Sequence, residues 1–470
     1  MRLKSEFLAL VIGIGLTGCS DVPQTTAPAK LSATSRITNR PDANNSRNDE
    51  RFVAIGTSVS MGWASNGVYD GSQRTSWPEL LLFDNATGMS LPLIQSPGCA
   101  SPIVAPLGAG LRLSGESIAG STVCAPNDVG VVLPTQNVAL AGALAVDALQ
   151  TTPQTSPLPW FGRVLPLGTT QLSAALAQNP TIVSVELGAN EVLNATSGLV
   201  APGLTIVPLP FFVAPYDAIL NVLGASDVKV VLAGLPADGR NLPSLRRGDE
   251  IWADRFEFDA LHVDVSSDCD GNQNYINVSI KSLNVAFEGA FRAGHGLPNA
   301  VFSCADVPGT QDLVLTPADM ALLNGLLGQM TTHIQQQAAA RGYAYFSLGA
   351  LYDDPTLKST PYSVIAQLTS PTPYGPFISL DGVHPTALGS ATIAHAAAVA
   401  INVNYHDGAH AVDLTASSSI ANQLPEPVGP VAALAQAKRF AAAHQGEQLS
   451  PCAMTGGCEL ASLRRAGTNR

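Results

Sequence analysis

The chain has 470 residues, enough for one large domain or two ordinary ones, and a formal charge of −12. Charged residues make up 13%, well below the ~25% of an average soluble protein, which suits an exported globular domain with much small-residue packing. The acidic balance argues against nucleic acid as a partner and against a polybasic grip on anionic lipid.

Residues 1–18 read as an export signal, with Arg2 and Lys4 giving a positive start and Leu8 through Leu16 an apolar run too short to span a bilayer. Within it, Gly13-Ile14-Gly15-Leu16-Thr17-Gly18 matches a dinucleotide fingerprint only formally, because no strand precedes it in a removable segment. Leu16-Thr17-Gly18-Cys19 resembles the bacterial lipoprotein signal, which implies that Cys19 carries lipid and becomes the mature N-terminus. Ser20 after it points to an outer membrane or cell surface, and Asp21 weakens that sorting signal. Residues 19–50 are Pro, Ser, Thr, Asn and Arg rich and read as a flexible tether, since they lack the apolar anchors for a core.

The main domain is expected over 51–405. Phe52–Ile55 is a short apolar strand running into Gly56-Thr57-Ser58, which leaves the Ser58 hydroxyl at the carboxyl edge of a sheet. That edge is where open α/β sheets bind ligands. A loop-rich excursion near 85–135 follows, pinned by Cys99 and Cys124. Asn137-Val138-Ala139-Leu140-Ala141-Gly142-Ala143 then offers a backbone N–H at a glycine, where a substrate oxygen meets no Cβ. The strand Ile182–Leu187 leads into Gly188-Ala189-Asn190-Glu191, with a side-chain amide donor at Asn190.

Gly198 to Tyr216 is the most apolar later stretch, but Pro202, Pro208, Pro210 and Pro215 break it. Its segment Ile206–Val213 is a candidate acyl-pocket wall or lid, with a buried core segment as the plainer alternative. Val228–Leu232 and Ala344–Leu348 are further strands. Between them, an aspartate-rich insertion near 236–312 is pinned by Cys269 and Cys304. If both excursions leave the sheet at the active edge, they are the source of substrate selectivity. Thr316-Pro317-Ala318-Asp319 starts a capped helix that runs to Arg341, closed by Gly342.

Leu380-Asp381-Gly382-Val383-His384-Pro385 places a carboxylate three residues before an imidazole, on a loop entering an alanine-rich helix from Pro385 to about Val403. Serine, base and orienting acid are the parts of a nucleophilic triad. The N–H groups of Ser58 and Gly142 and the Asn190 amide would together make a three-point oxyanion hole. No G-x-S-x-G is present, which argues against the ordinary α/β-hydrolase elbow.

These motifs in this order resemble the SGNH or GDSL hydrolase family. Its marker serine, glycine, asparagine and histidine fall on Ser58, Gly142, Asn190 and His384, with Asp381 as the third triad member. The resemblance covers roughly 50–405. It implies an α/β, flavodoxin-like three-layer sandwich with a mostly parallel sheet, helices on both faces and long loop insertions. It also implies serine-dependent ester hydrolysis without a cofactor. Two positions depart from the family pattern: Thr57 stands for the aspartate of Gly-Asp-Ser, and Glu191 for the aspartate after the asparagine.

With Cys19 lipidated, Cys99, Cys124, Cys269, Cys304, Cys452 and Cys458 remain, and neighbour pairing is the simplest connectivity. Disulfides suit an oxidising compartment, and export supplies one. No C-x-x-C occurs, so structural zinc is disfavoured. Asp268–Asn274 alternates oxygen ligands but lacks the glycine and glutamate of an EF-hand, so a polar disulfide-bound turn is preferred to a calcium loop. His406 and His410 flank Asp407-Gly408, a turn and not a zinc helix. Residues 406–470, with a short helical stretch from Pro430 to His444, have no functional reading.

The sequence therefore points to a monomeric carboxylic ester hydrolase at the cell envelope, acting on a small-molecule or lipid ester and held to the membrane through Cys19. The alternatives are a carbohydrate O-deacetylase and a non-catalytic glycan- or lipid-binding lipoprotein on a degenerate hydrolase scaffold.

Overall fold

Four short apolar runs form the centre of the computed structural model, which describes residues 50–83, 88–412 and 414. They are β1 (Phe52–Gly56), β2 (Ile182–Glu186), β3 (Lys229–Gly234) and β4 (Ala344–Ser347), all parallel and adjacent in that order. Their continuous apolar character fits parallel strands covered on both sides.

Residues 136–140 run parallel along the free edge of β1. Ala54 N–H donates to the Gln136 carbonyl, Val138 N–H to that of Ala54 and Leu140 N–H to that of Gly56. This edge segment is second in the chain, so the spatial order is 2-1-3-4-5, the flavodoxin-like order. The order reverses between β1 and β2, and a crevice at the carboxyl ends of those two strands is where such sheets place a site.

Side chains alternate between two cores, as the two-residue period of a strand requires. Phe52 and Ala54 join Trp77 and the last helix on one face, while Val53 and Ile55 face the other side with the two long middle helices. Those helices are α1 (Leu209–Ala225), α2 (Pro317–Arg341) and, on the opposite face, α3 (Ala387–Tyr405). The result is the expected three-layer α/β sandwich.

Capping chemistry sets the ends of α2 as expected. The Thr316 hydroxyl accepts from Asp319 N–H, the Asp319 carboxylate accepts from Thr316 N–H, and Gly342 closes the helix at φ 68°. Helix α3 starts at Ala387, two residues after the expected Pro385, because Thr386 takes the cap and accepts from Gly389 N–H. It is long and apolar enough to cross a membrane by length and composition. Ile393, Ala394, Ala397 and Ile401 are nonetheless buried in the core.

Two expectations need correction. The proline-broken stretch does not stay a loop: Leu209 begins a 17-residue helix with Pro210 in its first turn and Pro215 inside. A first-turn proline loses no bond, and the single bond lost at Pro215 is outweighed by burial of Phe212, Tyr216, Ile219, Leu220 and Leu223. The insertion near 236–312 is a folded lobe and not a polar loop. It carries a three-stranded antiparallel sheet completed by Val314–Leu315, a two-stranded parallel ribbon and the helix Val278–Gly294.

The structure forms the disulfides Cys99–Cys124 and Cys269–Cys304. Around the second, Asp268 accepts from Cys304 N–H and the Ser303 hydroxyl, which makes the aspartate-rich segment a braced disulfide turn. The signal segment, Cys19, the tether and the Cys452–Cys458 pair lie outside the described residues.

Candidate active site

Ser58 follows β1 as the first residue of a one-turn helix, Ser58–Met61, at the crevice between β1 and β2. Gly56 allows the tight exit, since a Cβ there would come within 2.6 Å of Ser60 Oγ. From the far end of the chain, the loop before α3 brings His384 to it. The Ser58 hydroxyl and His384 Nε2 are 2.9 Å apart, and His384 Nδ1 lies 2.9 Å from Asp381 Oδ2. All three side chains are buried, Asp381 and His384 almost completely.

Asp381 is held from several directions. Its Oδ1 accepts from the N–H groups of Val383 and His384 and from the Ser379 hydroxyl, and its Oδ2 accepts from Asn66 N–H at 2.7 Å. Burial pushes this carboxyl up, but the charge and hydrogen bonds of His384 with the Val383 N–H outweigh it, so it sits below its ordinary value. An ionised Asp381 only accepts, which puts the proton on Nδ1 and leaves Nε2 to accept from the Ser58 hydroxyl.

The donors expected around the substrate oxygen lie in neighbouring loops. Gly142 adopts φ 78°, and no acceptor for its N–H occurs among the described residues. Its loop is fixed by Trp160 Nε1 on the Ala141 carbonyl and by Asn190 Nδ2 on the Ala143 carbonyl at 2.9 Å. One hydrogen of the Asn190 amide is thus spent on the glycine loop, and the other is left for a substrate. The departure at Glu191 also has a partner, because its carboxylate accepts from Ala145 N–H at 2.8 Å and ties the same two loops.

A cavity of about 90 Å³ opens beside Ser58 and His384. Its apolar wall comes from Val192, Leu193, Leu242, Leu327 and Leu348, with Asp238 and Tyr352 as polar neighbours. Burial raises the Tyr352 phenol well above its ordinary value, with Asp381 and Glu186 adding to the effect, so it is neutral in use. Residues 206–213 do not line this cavity, and Phe212 is instead buried in the core below. The expected wall or lid is instead the entry and first turn of α1, with Ile206 and Phe212 buried and Pro210 and Phe211 exposed.

Several residues that support the site have no motif of their own. Ser65 and Asn66 take left-handed conformations at φ 53° and 56°, which turn Asn66 N–H onto Asp381. The Asn66 carbonyl accepts from Arg112, a buried guanidinium that also donates to the carbonyls of Ser101 and Ile118. Burial holds Arg112 down at about 10, with Glu116 opposing. Asn137 Nδ2 donates to the Ser60 carbonyl, tying the edge segment to the serine turn. Glu186, which the sequence reading passed over, did carry a signal, as a charged residue inside an apolar strand.

No protein-family model matches the chain, and no curated protein is similar to it in sequence. Among solved structures, an extracellular lipase from Streptomyces rimosus aligns with 14% identity and a TM-score of 0.33, covering 76% of this chain and 100% of that one. Similarity that distant says nothing of what this chain does.

Proposed function

We propose that the protein is a serine-dependent carboxylic ester hydrolase of SGNH type, exported and held at the cell envelope through Cys19. The observation that carries the chemistry is the relay of two 2.9 Å hydrogen bonds from Ser58 through His384 to Asp381, beside an apolar cavity. Export and anchoring rest on the N-terminal sequence alone.

In the proposed reaction His384 Nε2 takes the Ser58 proton as Oγ bonds to the ester carbonyl carbon. The carbonyl oxygen becomes an oxyanion, held by the N–H groups of Ser58 and Gly142 and by the Asn190 amide. Collapse breaks the ester C–O bond, and the imidazolium, stabilised by Asp381, gives its proton to the leaving alcohol. Water then attacks the acyl-enzyme through the same base and releases the acid.

The cavity has room for on the order of three waters, which favours a short aliphatic acyl group over a long lipid chain. That size also supports the second reading, an O-deacetylase acting on an acetylated sugar.

The test is turnover of p-nitrophenyl esters from acetate to palmitate by wild type, Ser58→Ala and Asn190→Ala. Ser58→Ala should lower kcat by about 10⁴ or more, and Asn190→Ala by about 10²–10³. Short esters should be preferred. Turnover that survives Ser58→Ala would sink the serine mechanism, and no turnover on any ester would favour the binding protein.

A further inference from the structure

The side chain of Thr57 is turned away from the helix it precedes. Thr57 occupies the cap position of Ser58–Met61 but makes no side-chain cap bond. Its hydroxyl donates instead to Glu186 Oε1 at 2.8 Å, across the gap between β1 and β2. Ser60, the third helical residue, has the N–H that a capping side chain would normally satisfy. That N–H also reaches Glu186, at 3.3 Å to Oε2.

Thr57 N–H at 3.0 Å and the Ser60 hydroxyl at 2.9 Å complete the set on the same oxygen. The Ser60 hydroxyl is oriented to donate by Trp77 Nε1, which occupies its oxygen at 3.0 Å. Glu186 is fully buried, and among the described residues its hydrogen bonds come from Thr57 and Ser60, on either side of Ser58 in this turn. Burial holds this carboxyl above its ordinary value, and the hydrogen bonds from Thr57 and Ser60 offset only part of that rise.

We propose that Glu186 is a positioning residue that caps the Ser58 turn from the neighbouring strand, in place of the cap that Thr57 does not make. The turn fixes both the Ser58 hydroxyl and the Ser58 N–H, so its bracing acts on attack and on oxyanion binding together. This inference rests on the hydrolase reading for its kinetic arm only.

The experiment compares full-length wild type, Glu186→Gln and the double variant Thr57→Asp with Glu186→Gln. In the double variant, Asp at the cap accepts from Ser60 N–H and from the new Gln amide. Glu186→Gln should lower kcat about 10- to 100-fold with KM within about twofold, as misplacement of a reacting group does. Amide hydrogen exchange over 57–62 should rise in that variant, and the double variant should restore both readouts.

Wild-type exchange and kcat in Glu186→Gln would overturn the proposal, as would a double variant no better than the single one. Exchange needs no substrate, so it decides the role of Glu186 even where wild type shows no Ser58-dependent turnover. That latter result would fail the hydrolase reading alone.

Discussion

The two disulfide-pinned excursions look alike in sequence and serve the site in opposite ways. Residues 88–135 have little regular structure beyond one turn of 3₁₀-helix at Leu107–Ala109 and isolated bridges, yet they reach the triad acid through Arg112 and Asn66. Residues 236–312 fold into a lobe that buries Ile251, Phe258, Val263, Ile276 and Phe302 in one core with a face of the central sheet, and supply Pro236, Asp238, Gly239 and Leu242 to the cavity. None of the lining residues comes from the first excursion. On the proposed hydrolase reading, cavity lining and the bracing of Asp381 thus come from different insertions, so each should change without the other.

Arg112→Ala attacks the first assignment hardest. It strips three buried carbonyls of their donor, at about 1–3 kcal/mol each where water cannot replace it. We expect a lower Tm and a kcat reduced about 10- to 100-fold, with the acyl-chain profile unchanged. A shifted chain-length preference would break the division between the excursions.

Leu242→Trp makes the converse test. Filling the cavity from the second excursion should lower kcat/KM for butyrate about tenfold or more relative to acetate, within the 1–3 kcal/mol range that a methylene or two commands in a pocket. The acetate kcat should hold. Equal loss on both esters would mean that this lobe also sets the catalytic geometry.

The smallest effect sits in the same lobe, at a residue that does not line the cavity. Asp254 accepts from Val364 N–H, and burial, aided by nearby Glu257, raises its carboxyl to about 7. Because the folded state holds the proton longer than the unfolded one, stability is full below the unfolded value of about 4 and falls as pH rises to about 7. Asp254→Asn removes that loss. A Tm gain of about 1–2 °C at pH 8 and none at pH 4 is expected, small because solvent screens a half-buried group. The ester kinetics should not move.

The strands were legible because parallel strands buried on both faces read as apolar runs. All four central strands were recognised, three of them to within a residue at each end. The helix Pro317–Arg341 was equally clear, since its cap, first-turn proline and closing glycine are local chemistry. Ser58, His384 and Asp381 were legible from the turn after a strand and from the three-residue spacing before a helix. Helix α1 was misjudged because Pro215 outweighed, in sequence, the burial that only the packed core supplies.

The sequence by itself determined which side chains meet at the crevice and which strand ends present them, because both follow from short-range pattern. It did not determine what braces them. Asn66 N–H meets Asp381 across 315 positions, Arg112 reaches Asn66 across 46, and Glu186 reaches Thr57 across 129. Such bonds have no local period and involve backbone groups as often as side chains. Only the closing of the sheet, which sets β2 beside β1 and folds both insertions back, decides them.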